Sequence, residues 1–251
     1  MVALGLFVLP LVGLLQQVRW SSLLDDLGDP AATRALRLSL ETSLAATALA
    51  ILLGLPLAWL LARGDLPGRS VLRGLVLLPM VLPPVVGGVA LLSAFSLRSP
   101  IGGWLHDVAG IQFTFQRSGV ILAETFVALP FLVVTVEAGL RSIDPRYEQV
   151  AAGLGASRWT TFRRVTLPLV APSLAAGAVL SWARALGEFG ATITFAGNVE
   201  GRTRTLPLAG YLDLLAGPAE RQAALAMSTL LLAVCFAVLV ALRGRWAGTG
   251  R

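Results

Sequence analysis

The sequence predicts an all-α membrane protein, a single domain over residues 1–251 with about six transmembrane helices. Three observations lead there. The chain is 56% hydrophobic and 14% charged, with mean hydropathy +0.78, whereas soluble domains are roughly 25% charged. Several apolar runs approach the ~20 residues that carry a helix across a hydrocarbon core. Those runs are continuous, not alternating, which excludes a barrel, the other fold that satisfies all backbone groups in lipid.

The first span is read over Val2–Leu15, apolar but short, extendable to Trp20 at an interface. It lacks a basic lead and a small-residue cleavage site, so it reads as a span and not a signal peptide. Gln16–Arg37 is a polar connection. Leu38–Ala62 is the second span, interrupted by Gly54 and Pro56, and Arg63–Arg73 a tight loop. The third span, Gly74–Ser96, carries Pro79, Pro83, Pro84, Gly87 and Gly88 within ten residues. Proline removes a helix donor and clashes one turn back. A bent, pathway-lining helix and a kink that serves packing are both open for this segment. Leu97–Arg117 is a polar loop, Ser118–Ala138 the fourth span, and Gly139–Pro168 a charged loop. Leu169–Thr192 is the fifth span, Ile193–Gln222 a long polar connection, and Ala223–Leu242 the sixth span before a basic tail.

All 20 basic residues are Arg, so no Walker A lysine exists and this chain is not expected to hydrolyse ATP. One Cys, Cys235 in the last apolar run, and one His, His106 in a polar loop, leave no internal disulfide, no metal set and no Cys/His nucleophile. No catalytic residue and no metal ligand is assigned. The net charge of +6 sits in the loops and reads as topology, not nucleic-acid binding. The second loop, the fourth loop and the tail hold 11 Arg and three acids, against eight Arg and seven acids in the alternate set. Positive charge marks the cytoplasmic side. Gly139–Pro168 and both termini therefore face the cytoplasm.

Within that loop, Glu148 to Leu154 predicts a short helix with Val150, Ala151 and Leu154 on one face. Gly155 stands where a helix ends and the chain turns, and Ser157 can cap a second helix that begins at Arg158 and runs through Arg164. A small apolar helix face suits a groove on a partner; an amphipathic helix lying on lipid is the alternative. The interval EQVAAGLGASRWTTFRRVTLP resembles the signature loop of bacterial ABC importer permeases, E-A-A-x3-G-x9-I-x-L-P. Gly155 supplies the glycine, nine residues follow, and Val165, Thr166, Leu167 and Pro168 complete the pattern with Val for Ile. The leading triplet departs: it aligns with Gln149, Val150 and Ala151, with Glu148 one place early. The resemblance implies that Glu148, Gln149, Val150, Ala151, Leu154, Gly155, Ala156, Ser157 and Arg158 form a coupling loop that docks on an ATPase subunit.

A second constellation is ARALGEFGATITFAGN, Ala183–Asn198. Arg184 and Glu188 lie four apart on one helix face. Ions in a membrane are paired or cavity-facing, and both a self-neutralising structural pair and an Arg184 that attracts an anion are open. Gly187 and Gly190 allow close approach of another helix. This segment, the following EGRTRTLPLAGY and LLPMVLPPVVGG in the third span are similar to molybdate-type permeases of the same importer class, with tungstate permeases inseparable and sulfate permeases less similar. That resemblance implies the type I ABC importer permease fold and a pathway with candidates Pro79, Pro83, Pro84, Gly87, Arg184, Glu188, Gly190 and Thr192. It implies two permease copies, two ATPase subunits that use ATP and Mg, and an extracytoplasmic binding protein. It places the chain as a multi-pass protein of a bacterial or archaeal cytoplasmic membrane, with no cofactor of its own. A stand-alone channel or secondary carrier is the reading from another class. An intramembrane enzyme would need paired Asp or a Ser/His set in the spans, which the sequence lacks.

Overall fold

The computed structural model describes residues 2–23, 28–217 and 220–247, and among these every regular element is helical. Among the described residues, four helices are long and apolar enough to cross a membrane, and a bent helix pair makes a fifth if it is one span. The expected first span forms α1, Val2–Gln17, whose 16 residues rise about 24 Å at 1.5 Å per residue, short of the ~30 Å hydrocarbon core. The chain divides into two compact units, Thr42–Ala196 and Met1–Glu41 with Gly197–Arg251.

α2, Pro30–Arg63, starts well before the expected Leu38 and is a single helix of 34 residues. Pro30 opens it, where a missing N–H costs nothing. The carbonyl of Asp29 accepts from Thr33 N at 3.0 Å. Pro56 lies inside the helix and does not end it.

The third expected span differs more. It is two helices, α3 (Arg69–Val81) and α4 (Pro84–Phe95), bent by 117°. The cause is the Pro83–Pro84 pair. A residue before proline is pushed out of the helical region, and both Leu82 (ψ 135°) and Pro83 (ψ 133°) are extended. Pro79, with no proline after it, stays inside α3. The polar connection that follows holds α5, Pro100–Ala109, capped by the Ser99 side chain, which accepts from Gly102 N.

α6, Arg117–Ser142, is the core of the larger unit; Val120, Ala123, Ala128, Leu132, Val136 and Leu140 on it are all fully buried. After α7 (Arg146–Gly153) and α8 (Arg158–Thr161), a π-helical segment, Phe162–Thr166, runs directly into α9, Leu167–Leu186. The fifth span is therefore continuous with the second helix of the loop, 29 residues from Arg158 to Leu186. Pro168 has no N–H to keep the α register, and Leu167 N bonds back five residues to Phe162 O. α9 packs on α6 so closely that a Cβ on Gly139 would run into the Ser173 side chain. Small residues at such crossings are how membrane helices gain van der Waals contact, because lipid supplies no hydrophobic drive between them. The expected fifth span also stops early, at Leu186; after a break, α10 (Gly190–Phe195) resumes and packs against α4.

The smaller unit contains α11, Leu206–Ala216, inside the expected polar connection Ile193–Gln222, and α12, Arg221–Ala247. Leu206, Ala209 and Met227 from these helices pack with Ala32 and Ala35 of α2. The Ser39 hydroxyl accepts from Leu206 N at 2.7 Å.

Candidate functional site

The charged loop builds a helix–turn–helix. α7 opens on Asp144, whose carboxylate accepts from Arg146 N at 2.9 Å, and Glu148 lies in its first turn, where the helix dipole favours an acid. At its other end Gly155 has φ +85°. Its N–H donates to Ala152 O at 2.9 Å, and that of Ala156 to Ala151 O at 3.0 Å. This paired closure requires a left-handed residue after the helix, which glycine supplies without strain. Ser157 then caps α8, accepting from Thr160 N at 3.2 Å. Trp159 and Phe162 stack behind it with ring centroids 5.8 Å apart.

The expected apolar face is there, and none of the described residues covers it. Val150 is 62% exposed and Leu154 84%, with Tyr147 beside them. With Ala151, Arg146, Asp144 and Val165 these side chains line an open groove of about 590 Å³. Gln149, Gly155, Ser157 and Arg158 are exposed; Glu148, Ala151 and Ala156 are half-buried.

Behind the loop lies a group of ion pairs not read from the sequence. Glu137 pairs with Arg141 at 2.9 Å and with Arg73 of α3. Arg141 also donates to Leu61 O at 3.3 Å, and Arg69 donates to Leu61 O and Ala62 O. These arginines satisfy carbonyls at the C-terminal end of α2, where an ordinary helix leaves four without partners. Only the i,i+4 spacing of Glu137 and Arg141 was a signal for any of this in the sequence.

The pathway candidates fall into groups. Arg184 and Glu188 pair at 2.6 Å, with the Glu188 side chain 1% exposed. The other Glu188 oxygen, Oε1, accepts from Ala191 N at 2.7 Å, so this acid also caps α10. Gly190 lies against the elbow of the bent pair: a Cβ there would be 2.7 Å from Pro84 Cβ. Gly88 lies against Ala191 and Thr194 in the same way. The Pro-rich and GEFG segments, distant in sequence, are thus one packed assembly through α4 and α10. Gly87 is buried and packs near Phe126; Pro83 and Pro84 are exposed, and Pro79 is half-buried on α3. Thr192 is fully buried, and its hydroxyl has no partner among the described residues. Glu124, left without a role by the sequence, is 1% exposed and accepts from the Thr42 hydroxyl at 3.0 Å.

A family profile described as "Binding-protein-dependent transport system inner membrane component" matches residues 50–246. The chain is 48% identical over 239 residues to the molybdenum transport system permease protein ModB of Mycobacterium bovis, covering 94% of this chain and 88% of that one. It is 35% identical over 249 residues to the sulfate transport system permease protein CysT of Escherichia coli, covering 98% of this chain and 89% of that one. Among solved structures, a chain of a bacterial ABC transporter involved in import of the acidic polysaccharide alginate superposes with a TM-score of 0.74 at 20% identity, covering 96% of this chain and 90% of that chain.

Proposed function

The chain belongs to the family of binding-protein-dependent transport system inner membrane components, and on that premise we propose that it is the permease subunit of an ATP-binding-cassette importer for molybdate. One observation carries the substrate: identity of 48% to a molybdenum permease over nearly the whole chain, against 35% to a sulfate permease. Tungstate, a tetrahedral dianion of the same shape, is the second substrate this reading admits, and sulfate the third.

In this reading the chain crosses the cytoplasmic membrane several times with both termini inside and hydrolyses nothing itself. Two copies line the path. Two ATPase subunits, which bind ATP with Mg, receive the Glu148–Arg158 loops, and an extracytoplasmic protein delivers the anion. Tyr147, Val150, Ala151 and Leu154 supply the apolar docking face. Its support is the exposure of Tyr147, Val150 and Leu154 along a helix that carries polar residues elsewhere and closes on the Gly155 turn. ATP-driven closure of the ATPases moves the loops, and the spans rock between inward- and outward-open states. Pro79, Pro83, Pro84, Gly87, Gly190 and Thr192 belong to the moving wall. Arg184 offers positive charge to the anion from beside its partner Glu188.

Co-purification tests the docking. The wild-type chain in detergent should retain the ATPase subunit, and Leu154→Asp, which puts a charge on the apolar face, should lose it. Anion transport by the chain without any ATPase would make it a stand-alone channel or carrier and end this reading.

A further inference from the structure

The acid of the docking loop turns away from the docking face. Glu148 is half-buried, and its Oε1 accepts from the Thr166 hydroxyl at 2.9 Å. Thr166 is itself 1% exposed, at the end of the π segment that heads α9. Nη2 of Arg63, the last residue of α2, stands 3.8 Å from the same carboxylate oxygen. That Nη2 also donates to Ile143 O at 3.1 Å, at the end of α6. The carboxylate thus ties α7 to the head of α9 and the end of α2, and Arg63 carries the link on to the end of α6.

We propose that Glu148 is a positioning residue, a tether that passes displacement of the docking helix into α2 and α9, and not a contact with the ATPase. The proposal rests on the docking reading given above. Its physical basis is the weakness of the other attachments of α7. That helix buries no residue fully. It joins its neighbours through extended Ile143 (ψ 125°) on one side and the Gly155 turn on the other. Both joints are loop positions of the kind that absorb backbone rotation. A docking helix held only at such joints would swing when pushed, and the motion would be lost in the turns. Charge-assisted hydrogen bonds are the stronger class, and this one lands on the one stretch of the 29-residue helix whose register is already shifted by five-residue bonding. Pushing α7 therefore loads α9 at its most deformable point and α2 at its end. The same geometry accounts for the position of the acid, one place early in the loop pattern: there it is on the inner side of α7, away from Val150 and Leu154.

The test uses the complete importer in proteoliposomes with radiolabelled molybdate, reading anions moved per ATP hydrolysed, and ATPase-subunit affinity separately in detergent. Thr166→Val removes the hydroxyl at nearly constant shape. It should keep ATPase affinity and lower the ratio of anion to ATP by roughly fivefold or more, the weight of one hydrogen bond. Thr166→Ser should restore the ratio. Thr166→Ala serves the same comparison if the valine variant does not assemble. Combining Thr166→Val with Glu148→Ala should cost no more than the worse single change, because both cut the same link. An unchanged ratio in both Thr166→Val and Thr166→Ala overturns the tether. So does loss of ATPase affinity in these variants equal to that in Leu154→Asp. If Leu154→Asp itself keeps full ATPase affinity, the docking reading fails instead.

Discussion

Gly155 separates the conformational demand of the proposed docking loop from every steric one. Its φ of +85° lies in the left-handed region, and a Cβ placed on it would meet nothing within 4 Å. Gly155→Ala therefore adds only backbone strain, about 1–2 kcal/mol for an L-residue held there. That shifts the population of the closed turn by roughly 5- to 30-fold. Gly155→Asn, whose side chain tolerates this region, should cost less than the alanine change. Gly155→Pro is of another order. Proline fixes φ near −65°, opposite in sign, and deletes the N–H that donates to Ala152 O. The turn cannot form, and the angle between α7 and α8 is lost, while α2, α6 and α9 keep their packing. The assay is molybdate uptake and ATP hydrolysis measured together in proteoliposomes, with thermal unfolding of the solubilised chain as control. Uptake per ATP should fall in the order glycine, asparagine, alanine, proline, reaching background at proline, with little change in unfolding temperature. Wild-type coupled uptake by Gly155→Pro would refute the argument that this turn sets the docking geometry.

Arg184→Ala leaves Glu188, 1% exposed, without its charged partner. It should destabilise the chain by on the order of 3–5 kcal/mol in detergent unfolding, and Arg184→Ala with Glu188→Gln should recover most of that. If Arg184 also attracts the anion, the double variant regains stability and still transports poorly; wild-type uptake by Arg184→Ala alone would remove it from the mechanism. Gly190→Val would drive a Cβ to 2.7 Å from Pro84 Cβ, an overpacking of about 1–3 kcal/mol. It should separate α4 from α10 and slow uptake without weakening ATPase binding, and unaltered uptake would show that this contact does not move as a unit.

Much of the loop was legible because its signals are local. Gly155 and Ser157 act on backbone groups within five residues of themselves, and each is found in its expected role. The spans around Leu38–Ala62 and Ser118–Ala138 follow from hydropathy alone. What was not legible depends on contacts across the sequence or on bond register. Arg63 and Glu148 are far apart in the chain, and nothing in either neighbourhood announces the other. The π segment needs a shifted hydrogen-bond ladder at Pro168, which side-chain periodicity does not encode. The prolines of the third span signalled a bend, yet only the Pro83–Pro84 step breaks the helix, since it alone extends two successive residues. α11 escaped because its 11 residues are too few to stand out between polar flanks. Arg184 and Glu188 were legible as a pair, but the cap that Glu188 gives α10 was not, because α10 straddles the expected boundary at Thr192 between the fifth span and the connection after it.

Competition uptake in proteoliposomes reaches the central claim most directly. The chain is reconstituted with the proposed ATPase and binding-protein partners, and radiolabelled molybdate entry is followed with and without ATP, against unlabelled molybdate, tungstate and sulfate. The account predicts entry only with ATP and the ATPase, suppressed by molybdate and tungstate at far lower concentration than by sulfate. Entry that proceeds without the ATPase, or that sulfate suppresses as well as molybdate does, would contradict it.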